Sequence, residues 1–292
     1  MDIQDKPSYE ICTNHKLVLG VSPFHIPFEP NKSKNKDEII SFRNDLKKYI
    51  KDLIVPDGKI LFASYSENDK YRFYDVENLL FYNIGISTFS KCCKNQLAFV
   101  GDADKVIAKK YPEKYKSTPK HVYRYEFVNS SMLESMLSRK RILASWKNIP
   151  LNMGIPHSPL RYYDAIRKNL SNINIYTENE LDDIFFGIRL NITLPKKILP
   201  TSIMKALLDG TICAFHGEKT NTTTELSKDI LGTDDINSIK LLGKRNYITK
   251  FNRGKSYKWN PEDERLLFAW IKVNQGEKAE MSGEIYDWEF IV

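Results

Sequence analysis

The chain has 292 residues, 41% hydrophobic and 28% charged, with a formal net charge of +7 and a pI near 9.0. That length accommodates one large domain or two modest ones with an ample core, and the composition is that of a soluble globular protein. No apolar run approaches the ~20 residues that span a bilayer, so no membrane partner is expected.

The polar N-terminal residues 1–16 contain no signal-peptide apolar region, and the expected location is cytoplasmic. Four cysteines (Cys12, Cys92, Cys93, Cys213) show no CxxC spacing, which predicts reduced, partly buried thiols. The basic balance admits an acidic partner such as nucleic acid. A chain rich in Lys, Asn and Ile also follows from an AT-rich genome without such a partner.

In chain order, residues 1–15 read as an irregular lead-in and 16–28 (KLVLGVSPFHIPF) as an edge strand running into extended chain. Asp37 is placed to cap a helix to about Leu53, with Ile39, Phe42, Leu46 and Ile50 at helical spacing. After a Pro-Asp-Gly turn, residues 59–66 (KILFASYS) predict a buried strand. Residues 74–89 (YDVENLLFYNIGISTF) predict a helix whose mouth carries Asp75, Glu77 and Asn78. A short apolar piece at 96–100 precedes a Lys-rich excursion at 101–121. A strand at 122–128, a helical connection at 130–138 and the basic run Arg139, Lys140 and Arg141 follow.

The order then repeats. A strand at 142–153 leads to a helix opened by Ser158 and Pro159. A polar connection covers 172–183 and a strand 184–194. Thr201 or Ser202 is placed to cap a helix ending near Phe215. Strands at 264–273 and 284–292 close the chain. The expectation is an α+β protein of two similar halves, 1–138 and 139–292. Each half reads strand-helix-strand-helix-strand, as in a tandem duplication, and NIGISTF at 83–89 lies over DGTICAF at 209–215.

The insertion at 217–260 predicts two short helices, at 224–231 and 234–242, and then a basic run. That run carries Lys244, Arg245, Lys250, Arg253, Lys255 and Lys258 among Tyr247, Phe251, Tyr257 and Trp259. Cations neutralise phosphates and aromatic faces stack on bases, so this stretch is the expected nucleic-acid contact. The alternative is a hairpin with its aromatics turned inward and its lysines solvated.

Three pieces, YDVENLL at 74–80, KALLDG at 205–210 and PEDERLLFAWIKV at 261–273, resemble motifs of the RusA-type Holliday junction resolvases. Phe81 stands where that family has a lysine, and Ser202 and Met204 replace family acids. The resemblance implies a Mg²⁺-dependent endonuclease acting on DNA, its tandem halves forming an internal pseudo-dimer. It implies Asp75, Glu77, Lys205 and Asp209 as catalytic residues and Asp75, Glu77, Glu262 and Asp263 as metal ligands, with Asn78 orienting. Phosphodiester hydrolysis by divalent metals needs few acids, because Mg²⁺ keeps several waters.

Two alternatives stand beside this reading. Asp75 as N-cap and Glu77 in a first turn would stabilise a helix N-terminus, leaving an inactive nucleic-acid- or protein-binding module. Residues 59–70 (KILFASYSENDK) also resemble the opening of a TIR-type domain, which implies NAD cleavage or signalling contacts. The five histidines (His15, His25, His121, His157, His216) are scattered without HxH or HExxH spacing, so no zinc site is expected and none is singled out as a base. No GxSxG elbow, P-loop or GxGxxG occurs.

Overall fold

Residues 60–67 (ILFASYSE) are buried almost throughout because they run through the interior of a sheet. A computed structural model describes residues 8–67, 75–101, 121–152, 157–176, 185–215, 248–252, 255–259 and 265–288. It shows an α+β chain that divides into two compact units, residues 1–136 and 137–291.

Unit 1 contains β1 (Glu10–Asn14), β2 (Leu17–Ser22), α1 (Lys36–Asp52), β3 (Ile60–Glu67), β4 (Gln96–Val100) and β5 (His121–Val128). Its strands lie in the order β1-β2-β5-β3-β4. Only β3 and β4 pair in parallel; the other neighbours are antiparallel. This is not the all-parallel arrangement that the TIR-type resemblance implies. β1 replaces the expected lead-in: Asn14 Oδ1 accepts the Lys16 N–H at 2.8 Å, and this Asx turn folds an exposed edge strand back onto β2.

The apolar stripe of α1 (Ile39, Phe42, Leu46, Ile50) is buried. It lies over Gly20 of β2, where a Cβ would stand 2.7 Å from Leu46 and 2.9 Å from Phe42. Asn35, not Asp37, occupies the cap position, and Asp37 sits in the first turn.

Residues 75–89 do not form the continuous helix expected of them. They form a π-helical turn, Asn78–Tyr82, and a 3₁₀ turn, Ile86–Phe89, separated by Gly85 at φ 113°. Leu79, Leu80 and Phe81 are consecutive and all buried. The wider turn is closed by Asn83 N–H on Asn78 O at 2.8 Å.

The helix α2 (Ser130–Leu137) follows β5. Unit 2 then contains β6 (Ile142–Pro150), α3 (Pro159–Lys168), β7 (Ile173–Ile175), β8 (Phe186–Leu194), α4 (Pro200–Ala214), β9 (Ile248–Asn252), β10 (Lys255–Trp259), β11 (Leu266–Gln275) and β12 (Glu280–Asp287). The sheet order is β11-β8-β12-β6-β7, with β9 and β10 forming a separate antiparallel pair. Again one pair, β11 with β8, is parallel.

Three boundaries differ from expectation. β7 occupies part of the polar connection. α4 begins at Pro200 with Leu199 as its cap, and Ser202 Oγ bonds back to Leu199 O at 2.7 Å instead of capping. β12 starts at Glu280, because a strand between β6 and β8 is paired on both edges over that whole length.

Leaving aside the edge strands β1 and β7, unit 1 has the order β2-β5-β3-β4 and unit 2 the order β6-β12-β8-β11, with the same pattern of strand directions. In unit 1 the short apolar piece at 96–100 is a strand of its own, β4, beyond the expected strand-helix-strand-helix-strand, and in unit 2 the additional strand is β12, expected at 284–292. The helices expected at 224–231 and 234–242, and most of the excursion at 101–121, lie outside the described residues.

Candidate active site

Side chains at alternate positions along a strand share one face of the sheet. Tyr65 and Glu67 therefore share a face of β3, and His121 and Tyr123 a face of β5. The β3–β5 register places Glu67 opposite His121 and Tyr65 opposite Tyr123. On β2 the same row continues through Gly20, opposite Tyr123, and Ser22, opposite His121. Because Gly20 lies beneath α1, this is the helix-covered face. Glu67 closes β3 and His121 opens β5, so the titratable pair sits where both strands end.

Tyr65 Oη stands 2.6 Å from His121 Nδ1, and Glu67 Oε1 stands 3.7 Å from Nε2. The second distance is within ion-pairing reach but too long for a hydrogen bond. A carboxylate only accepts, so the imidazole proton belongs on Nε2 facing Glu67. Nδ1 then carries the lone pair and accepts from the Tyr65 hydroxyl. The cluster is enclosed, with Tyr65 4% and His121 7% exposed. The rings of Tyr65 and Tyr123 meet edge to face at 5.2 Å.

A loop carries a second histidine into the same place. Ile26 is pinned on both sides: its N–H donates to Tyr123 Oη at 2.7 Å, and its carbonyl accepts from Asn83 Nδ2 at 2.7 Å. Those two bonds hold the preceding residue, His25, with its ring centroid 5.6 Å from that of His121. Hydroxyl, base and carboxylate in hydrogen-bonding or ion-pairing sequence is the arrangement used to move a proton to and from a reacting oxygen.

Of the residues expected from sequence, Asp75 and Glu77 lie in unit 1. Asp75 Oδ1 accepts the Asn78 N–H at 3.2 Å, and its other oxygen accepts from the Asn78 side-chain amide. Asp75 therefore caps the turn that it opens. Glu77 is buried, 1% exposed. Lys205 and Asp209 lie in unit 2, paired with each other one turn apart on α4, Nζ to Oδ1 3.2 Å. The backbone of the β9–β10 pair carries Lys250, Lys255, Lys258 and Trp259, with Lys258 opposite Thr249 and Trp259 opposite Ile248. Lys244, Arg245, Tyr247, Arg253, Glu262 and Asp263 lie outside the described residues.

Among the described residues, no group of three or more His, Cys, Asp or Glu side chains is arranged to hold a metal ion. For Mg²⁺ at Asp75 and Glu77 the fit is incomplete, since both Asp75 oxygens already accept bonds from Asn78. All four cysteines are thiols and three are buried; burial pushes the Cys92 thiol up to about 12, which makes it unreactive. No helix among the described residues is long and apolar enough to cross a membrane.

No family model, curated protein or solved structure matches this chain. The cluster was missed in the sequence because its members are 56 residues apart and belong to strands that are neighbours in the sheet but not in the chain. The one available signal was local. Tyr65 and Glu67 alternate at the end of an otherwise apolar buried strand, where a polar pair calls for a partner.

Proposed function

We propose that this protein binds nucleic acid in the cytoplasm and cleaves its phosphodiester backbone, with His121 as the acid–base residue. The observation that carries the catalytic part is the Tyr65–His121–Glu67 arrangement at 2.6 and 3.7 Å. In the reaction, the Tyr65 hydroxyl gives its proton to His121 Nδ1 and takes one from an attacking water. The new P–O bond forms as the bond to the leaving sugar oxygen breaks, and the imidazolium returns the proton to that oxygen. Glu67 offsets the charge of the imidazolium, and Tyr65 fixes the ring. The net charge of +7, the basic and aromatic stretch 244–259 and the resemblance to RusA-type resolvases support nucleic acid, with DNA favoured, as the substrate class.

Mg²⁺-dependent cleavage is the second reading, favoured by the buried carboxylate of Glu77 beside Asp75. On this reading Asp75 and Glu77 would be the ligands that unit 1 supplies. We also propose that the two units descend from a tandem duplication; the common strand order and directions support this.

The test is cleavage of labelled single-stranded, duplex and branched DNA with Mg²⁺ or with EDTA. His121→Gln should slow cleavage about 10²–10⁴-fold without loss of binding. If Asp75→Asn alone abolishes it, and only in Mg²⁺, the second reading replaces the first. Binding without any cleavage leaves an inactive binding module, and loss of NAD on incubation transfers the site to TIR-like chemistry.

A further inference from the structure

Arg43, Lys47 and Lys51 recur at intervals of four along α1, so they form one ridge beside its buried stripe. At 1.5 Å per residue the three cations are spaced about 6 Å apart along the axis. Like charges four residues apart cost a helix about 0.2–0.5 kcal/mol per pair. Among the described residues none of the three is ion-paired, although α1 also carries Asp37, Glu38, Asp45 and Asp52. Asp45 is engaged by the Tyr9 hydroxyl at 2.7 Å.

The ridge is partly withdrawn from water. Arg43 Nε is buried and makes no hydrogen bond. Lys47 lies across the Gly85 turn, its Cε and Nζ 3.5 and 3.7 Å from where a Cβ of Gly85 would be. Burial first, then Arg43 and Lys51, push the Lys47 ammonium below its ordinary range. A cationic row left uncompensated at a cost to its own helix fits a ligand that supplies repeated negative charge.

We infer that the Arg43–Lys47–Lys51 ridge of α1 is a phosphate-contacting surface that binds the backbone of a nucleic-acid strand. This rests on the nucleic-acid reading above and extends it to residues of unit 1 outside the 244–259 stretch. Phosphate contacts position a strand without reading its sequence, so affinity along this ridge is set by charge and salt, not by base identity.

The experiment is fluorescence anisotropy of a labelled oligonucleotide with the full chain over a range of salt. Each lost contact removes roughly 0.7 (single strand) to 0.9 (duplex) from the slope of log K against log salt. The triple variant Arg43→Gln, Lys47→Gln, Lys51→Gln should therefore flatten the slope by about 2–3, with circular dichroism showing the fold retained or slightly stabilised. The control Lys34→Gln, Lys36→Gln, Lys48→Gln removes the same charge off the ridge and should leave the slope in place. If wild type binds with a steep slope that the ridge variant keeps, the ridge assignment alone is overturned. If wild type binds no nucleic acid, the ridge and the nucleic-acid reading fall together.

Discussion

The two units use the same run of strands for different ends. In unit 1 the β3–β5 pair ends in Glu67 opposite His121 and Tyr65 opposite Tyr123. In unit 2 the corresponding pair, β8 and β12, has Ile192 opposite Met281 and Leu190 opposite Gly283. Trp146 lies on Gly283 and meets Phe215, at the end of α4, at 5.5 Å, so this too is the helix-covered face. A frame that folds with Ile192 and Met281 does not need a glutamate and a histidine in order to fold. Burying polar groups costs free energy unless they are well partnered, so their presence in unit 1 calls for a reason other than packing.

The strongest way to break this comparison is to impose the pair of unit 2 on unit 1. Glu67→Ile with His121→Met, combined with Tyr65→Phe to remove the hydroxyl that bonded His121, should reduce cleavage at least about 10²-fold. It should leave the thermal midpoint unchanged or raised, because apolar replacement of a whole buried polar pair is often neutral or stabilising. A collapse in stability, read by circular dichroism, would show that the cluster is structural.

A smaller effect concerns alkali. Burial, opposed by Arg161, pushes the Tyr162 phenol of α3 up to about 12. A folded-state value above the unfolded one of about 10 means that its contribution, roughly 2–3 kcal/mol, is complete below pH 10 and is lost as the pH rises through 12. Tyr162→Phe should remove that part of the loss in chemical denaturation run from pH 9 to 12. An identical decline in both proteins would contradict the assignment.

Smaller again is the glycine contrast. A Cβ on Gly283 would stand 2.2 Å from the Trp146 ring, whereas one on Gly20 would meet the movable end of Leu46 at 2.7 Å and the edge of the Phe42 ring at 2.9 Å. Gly283→Ala should cost about 1–3 kcal/mol and Gly20→Ala less, by urea denaturation. Equal costs would show that the two close approaches are equivalent.

The least effect on cleavage is expected at Lys205. If its role is the pair with the buried Asp209 on α4, Lys205→Met costs about 1–3 kcal/mol of stability and leaves cleavage intact. A tenfold fall in cleavage would instead return Lys205 to the phosphate contact implied by the resolvase resemblance.

Much of the architecture was legible. The apolar runs at 59–66, 122–128 and 184–194 and the periodic helix after Asp37 correspond to β3, β5, β8 and α1, because periodicity reports burial directly. β1 and β7 were not legible, since edge strands with exposed side chains carry little apolar pattern. The turn at 75–89 misled because Val76, Leu79, Leu80 and Ile84 match helical spacing in sequence, whereas the chain breaks at Gly85, at φ 113°, into a π-helical and a 3₁₀ turn. The site was the least legible part. His121 and Glu67 meet only through the register of strands separated in sequence by β4 and the excursion after it.

Single-turnover cleavage of a labelled oligonucleotide by wild type and by His121→Gln, at saturating protein, tests the central claim most directly. Equal binding and a rate lower by about 10²–10⁴-fold are expected of the variant. A variant that binds and cuts at the wild-type rate would contradict it.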